Sequence, residues 1–143
     1  LLVEAANSNN EIIYLVKTRQ KSPSYYLNKI TIPKNIIFAE ELDVYETILH
    51  SDVHITINSS CALEAPALGV KNILFNINNE AKLYYGSILK EPNTYYVNTS
   101  FELVEVLSSF EKVDKSIIKA FHKNVIINNF NQNFDDFIRL NNV

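Results

Sequence analysis

The residues best suited to chemistry fall together at positions 58–64, Asn-Ser-Ser-Cys-Ala-Leu-Glu. The apolar run VHITI at 53–57 predicts a strand ending at Asn58, and CALEAPALG at 61–69 predicts a helix starting directly after it. Small hydroxyl residues at such a junction let a phosphate approach the backbone. Free amides at residues 60–63 and the positive end of the helix dipole would then favour a dianion. Ser59 and Ser60 would add hydroxyl donors, one of them doubling as the helix N-cap. Glu64, one turn into the helix, would face the mouth of the cleft and accept two hydrogen bonds from vicinal ribose hydroxyls. The same residues also suit a helix with no ligand, because serines cap helices and the dipole favours a first-turn glutamate. Spacing alone leaves both readings open.

Other reactive side chains carry weaker signals. Cys61 at a helix start could have a lowered pKa, but no acid or histidine is assigned to partner it, and a small buried hydrophobe fits as well or better. Tyr84 and Tyr85 suit core or domain-interface packing and, second, an acceptor groove. His54 falls in a buried strand and reads as a satisfied core or edge residue. His50, His54 and His122 lack metal-site spacing, so no metal is expected.

The elements that would position the 58–64 segment alternate between β-rich and helical runs. Strands are expected at 12–17, 35–39, 53–57, 72–76 and 94–98. Helices are expected near Tyr25–Lys29, from Asp43 to His50, at 61–69, near 79–89, from Ser100 to Phe110, at 114–128 and at 131–141. Asp43 is the expected N-cap of its helix, with Val44, Ile48 and Leu49 as the apolar face. Gly69 stands where a C-cap glycine belongs, and Pro66 is read as falling early enough in its helix to be tolerated. The alternation predicts an α/β fold, a Rossmann-like three-layer α/β/α sandwich with an open, mostly parallel sheet of about five strands. A flavodoxin-like sheet is its neighbour.

Composition narrows the setting. With 143 residues the chain suits one domain, 1–143, and 47% apolar with 20% charged residues is ordinary for a globular fold. A net charge of −3 gives no reason to expect a nucleic-acid partner. No apolar run approaches the roughly 18 residues that span a bilayer, so no integral membrane segment is expected. A single cysteine fits a reducing cytoplasm. The chain lacks methionine and opens in what reads as the end of an amphipathic helix, so a preceding domain is expected.

The string TINSSCALEAPALGVKNILFN resembles the donor-site segment of GT-B glycosyltransferases and of the related UDP-N-acetylglucosamine 2-epimerases. Those families carry a strand, a Ser- or Gly-rich turn, a helix reading S-x-x-x-E-A-x-x-x-G and a further strand. LDVYETILHSDVHIT is similar to the helix and strand that precede it. The resemblance covers residues 40–80 well and the rest by element order.

It implies the C-terminal, donor-binding half of a bacterial glycosyltransferase, facing its own N-terminal domain across a cleft. The substrate would be a nucleotide-diphosphate sugar, with no cofactor or metal, and the acceptor a surface glycan. The catalytic residues would lie in the other half, the helices at 114–141 could pack against it, and the enzyme would sit in the cytoplasm or at the inner membrane face. Ser59 and Ser60 would meet the diphosphate within the Asn58–Cys61 turn, and Glu64 the ribose. Lys17 and Arg19 would stand near the diphosphate, Phe38 and Ala39 near the base, and Asn78, Asn79 and Glu80 near the sugar.

Two departures qualify the likeness. One retaining class carries a second glutamate where Thr56 stands, which argues against that class. Lys71 occupies the place of a usual proline. An epimerase-like enzyme and a non-catalytic Rossmann-like module are the alternatives.

Overall fold

The computed structural model describes residues 1–18 and 31–123. Along them run α1 (Leu2–Ser8), β1 (Tyr14–Val16), β2 (Ile36–Phe38), α2 (Val44–Leu49), β3 (Val53–Thr56), α3 (Cys61–Ala67), β4 (Lys71–Phe75), α4 (Glu80–Tyr85), β5 (Thr94–Val97) and α5 (Ser100–Ser108). A single 3-10 turn, Ile77–Asn79, leads into α4. Residues 115–123 are helical. The helices expected near Tyr25–Lys29 and at 131–141 lie outside the described residues.

Strands form at all five expected places; four are shorter than their apolar runs, and β4 keeps five residues but starts one residue earlier. They make two parallel ladders instead of one continuous sheet: β1 pairs with β2, and β4 lies between β3 and β5. Three-residue strands offer few ladder bonds, so side chains fix where β1 and β2 sit. Tyr14 and Ile36 from one ladder share an apolar cluster with Ile73, Phe75 and Val97 from the other, closed over by Ala5 and Ala6 of α1 and Leu103 of α5. Leu74, pointing the opposite way from its neighbours in β4, packs with Ala62 of α3 and Ala81 of α4. Helices therefore cover both faces of the three-stranded ladder. Every residue of β4 is buried, as a central parallel strand requires. Burying side chains such as Ile73 and Leu74 contributes about 1.5–3 kcal/mol each.

Local chemistry fixes the ends. Asp43 caps α2 in a reciprocal box with Glu46, as expected. Within α2 the buried face is Thr47 and Ile48, while Leu49 turns to solvent, a correction to the expected apolar face. Asn35 donates to the carbonyls of Ala6, Asn9 and Ile12 at 3.0–3.1 Å, tying the end of α1 to the start of β2. Gly69 has φ +84° and lies against Lys115, where an added Cβ would come within 2.6 Å of the lysine Cβ. That close approach and the left-handed backbone both require glycine.

The helical residues 115–123 pack on this same chain. Lys115 Nζ donates to the Leu49 carbonyl at 2.6 Å, Asn93 donates to the Ile118 carbonyl, and Ile118 is buried. Ile117 and Phe121, which lie at helical spacing with Ile118, are 61% and 37% exposed. Residues 124–128 of the expected helix lie outside the described ones.

Candidate functional site

Strand β3 delivers the chain to an exposed turn, Ile57 to Ser60, and α3 begins at Cys61. The turn sits at the carboxyl end of the three-stranded ladder, where parallel α/β sheets place their ligands. Two contacts from α4 hold it. The Tyr85 hydroxyl lies 3.1 Å from both Asn58 Oδ1 and the Ser59 carbonyl, donating its one proton between them. Tyr85 thus joins the turn from another element, while Tyr84 beside it is 59% exposed.

The expected anion cradle differs in detail. Ser60 occupies the N-cap position but its side chain makes no capping bond; Ser59 Oγ accepts from the Cys61 amide at 3.3 Å instead. The amides of Ala62 and Leu63 donate to the carbonyls of Ser59 and Ser60 in tight turns of 3.0 and 2.9 Å. Three of the four amides expected to be free are therefore engaged. At seven residues, α3 also carries a short dipole. Tight i to i+3 bonds satisfy the first-turn donors internally, which spacing along the sequence does not reveal.

Glu64 is half-buried on α3, and among the described residues its carboxylate has no hydrogen-bond or ion-pair partner. Its negative charge reaches His54 on β3 and favours that imidazole's protonated form. A hydrogen bond with Asn72 acts the same way, but burial outweighs both and lowers the His54 pKa below its ordinary value.

The residue behind this arrangement is Asn72, fully buried in β4. Its Nδ2 donates to the Ala62 carbonyl at 2.6 Å, and its Oδ1 lies 2.9 Å from His54 Nδ1. With Oδ1 an acceptor, His54 Nδ1 carries the proton and its Nε2 is left as the acceptor. Pro66 explains the first bond. It is the sixth residue of α3, too late to be excused as a first-turn residue, and its missing N–H would otherwise leave the Ala62 carbonyl without a partner. The signal for Asn72 was present in the sequence: a polar residue inside an apolar strand, six positions after a proline within a helix.

The remaining candidates scatter around the rim. Lys17 follows β1, and its Nζ donates to the carbonyls of Ala39 and Glu40 at 3.2 and 3.0 Å, which links the ends of the two paired strands. Arg19 lies outside the described residues. Glu80 opens α4 and is exposed, next to Asn78 and Asn79, both in left-handed backbone at φ 52° and 63°. Asn76, not singled out from sequence, organises that turn. Its Oδ1 accepts from the Lys82 amide at 2.9 Å, and its Nδ2 reaches Asn79 Oδ1 and Asn98 Oδ1. Cys61 packs, half-buried, beside the cluster of Ile48, Ala65 and Val70. On the far side of α3, His122 is buried with a hydrogen bond to the Leu63 backbone; burial again lowers its pKa.

No group of three or more His, Cys, Asp or Glu that could hold a metal occurs among the described residues, and none of their helices is long and apolar enough to cross a membrane. The chain is an α/β protein of Rossmann-like character. Comparison with protein-family models, with curated proteins and with solved structures gave no match.

Proposed function

We propose that this chain is the donor-binding domain of a glycosyltransferase of the GT-B kind, taking a nucleotide-diphosphate sugar at the β3–α3 turn. The observation that carries the reading is Glu64, a half-buried carboxylate on the helix that follows the β3–α3 turn, with no hydrogen-bond or ion-pair partner among the described residues. A carboxylate so placed suits a pair of ribose hydroxyls. The Ser60 and Ser59 hydroxyls lie in the turn immediately before it, and the resemblance of residues 40–80 to the donor segment gives the same assignment. In a complete enzyme, displacement of the nucleoside diphosphate from the anomeric carbon would use groups of an N-terminal half, with a surface glycan as acceptor.

A second reading has its own support. The amides of Cys61, Ala62 and Leu63 are already engaged, and Lys17 is held by backbone carbonyls. Both facts suit a non-catalytic Rossmann-like module. Titrating UDP, CDP and GDP sugars while following backbone amide resonances separates the two. Donor binding predicts saturable shifts at residues 58–64 at millimolar ligand, weakened about tenfold in Glu64→Gln, about 1.4 kcal/mol. If no nucleotide sugar perturbs 58–64, the donor-site reading fails and the interaction module stands.

A further inference from the structure

The opposite end of the ladder holds a second recess. Lys71 opens β4 and is only 6% exposed, yet among the described residues its ammonium has neither a carboxylate in ion-pair range nor a hydrogen-bond acceptor. Its neighbours are ring faces, Phe110 at 5.1 Å and Tyr95 at 6.0 Å from their centroids. Ring faces attract a cation but accept no conventional hydrogen bond, so the ammonium's donors remain open to an acceptor in the recess beside it. The ammonium borders a recess of about 350 Å³, whose wall also includes Tyr95, Glu111, Val113, Ile117 and Phe121.

We propose that this recess binds a small organic monoanion, a carboxylate on an aromatic or short aliphatic body, with its carboxylate on Lys71 Nζ. The Lys71 ammonium supplies the charge to be met, and an incoming carboxylate provides the acceptor that the rings do not. The apolar part of the wall, Tyr95, Val113, Ile117 and Phe121, favours a ligand with an apolar body over a bare inorganic ion. Size sets the class: at about 30 Å³ per water-sized group, the recess takes roughly ten heavy atoms. Glu111, the acid among the lining residues, is exposed and unpaired with Lys71. Its charge tolerates a monoanion held on the lysine and repels a dianion such as phosphate. The exposures of Ile117 and Phe121, out of keeping with core residues, are accounted for if a ligand's apolar body covers them. The site lies at the amino end of β4 and does not depend on the Ser59–Glu64 turn.

The test is a resonance titration of the whole chain with sodium benzoate and with hexanoate, using benzamide and inorganic phosphate as comparisons. Saturable shifts are expected at residues 71, 95, 109–113 and 117, with a Kd on the order of 1 mM. Benzamide and phosphate should bind at least tenfold more weakly, and the Lys71 side-chain ammonium resonance should move with benzoate. Lys71→Met should remove the preference for benzoate over benzamide while keeping the folded spectrum. Equal binding of benzamide and benzoate, an unmoved Lys71 resonance, or undiminished benzoate binding by Lys71→Met would overturn the proposal. Should Lys71→Met not fold, the benzoate–benzamide comparison on the unmodified chain decides alone. Shifts at 58–64 with nucleotide sugars in the absence of benzoate binding would sink this proposal and leave the donor site standing.

Discussion

Two strand-to-helix turns at the carboxyl end of one ladder look alike in sequence and differ in construction. The β4–α4 turn, Asn76 to Asn79, is closed by a buried side chain. Asn76 reaches two asparagines and a helix amide, and two residues take left-handed backbone to let it do so. The β3–α3 turn, Ile57 to Ser60, is closed by short backbone bonds and by a tyrosine from α4, and one turn on stands a carboxylate that is unpaired among the described residues. A turn whose polar groups satisfy one another holds a shape. A turn that leaves a half-buried charge unanswered has something to offer a ligand.

The largest expected loss falls on the β3–α3 side, at Asn72, which bonds both β3 and α3. Asn72→Leu would strand both the Ala62 carbonyl and His54 in a buried setting and should cost about 4 kcal/mol, read by urea unfolding. Adding Pro66→Ala restores an N–H to the Ala62 carbonyl and should return about 1 kcal/mol. A double variant no more stable than Asn72→Leu alone would refute the account of Pro66.

Next in size is the contrast between the turns themselves. Asn76→Ala loses the acceptor for the Lys82 amide and two side-chain partners, and should cost about 3 kcal/mol. Ser59→Ala loses one 3.3 Å bond and should cost about 0.5 kcal/mol. Equal losses would mean that the β3–α3 turn is as structural as its neighbour.

The smallest expected effect is one of pH, and it too separates the turns. His54 and His122 both touch the α3 side, and burial holds both below the ordinary value of 6.5. Above 6.5 folded and unfolded chains are alike neutral at these sites. As pH falls below 6.5 the unfolded chain takes up protons that the folded one resists, so stability falls. Amide protection factors, taken relative to the intrinsic exchange rate at each pH, should therefore fall in α3 before α4 as pH drops from about 7.5 to 5.5. Parallel loss of protection in both helices would contradict this assignment.

Periodicity and caps were enough to locate the five strands, the Asp43 box and the Gly69 terminus, because each depends on residues within a few positions of one another. The position of the candidate turn was legible for the same reason. Its inner wiring was not. Whether an amide is free depends on whether the first turn tightens, and whether Lys17 reaches a ligand depends on where β2 ends.

For the residues around Glu64 the division is the same. Local propensity and patterning act over short spans, so the order of a strand, a hydroxyl-rich turn and a helix with a first-turn glutamate is legible in the residues alone. Packing of the layers made Asn72 complete a helix interrupted by Pro66, set Tyr85 against the turn from another helix, and placed Lys71 against two rings at the amino end of the central strand. Those contacts join residues distant along the chain, and only the packing of the layers brings them within reach.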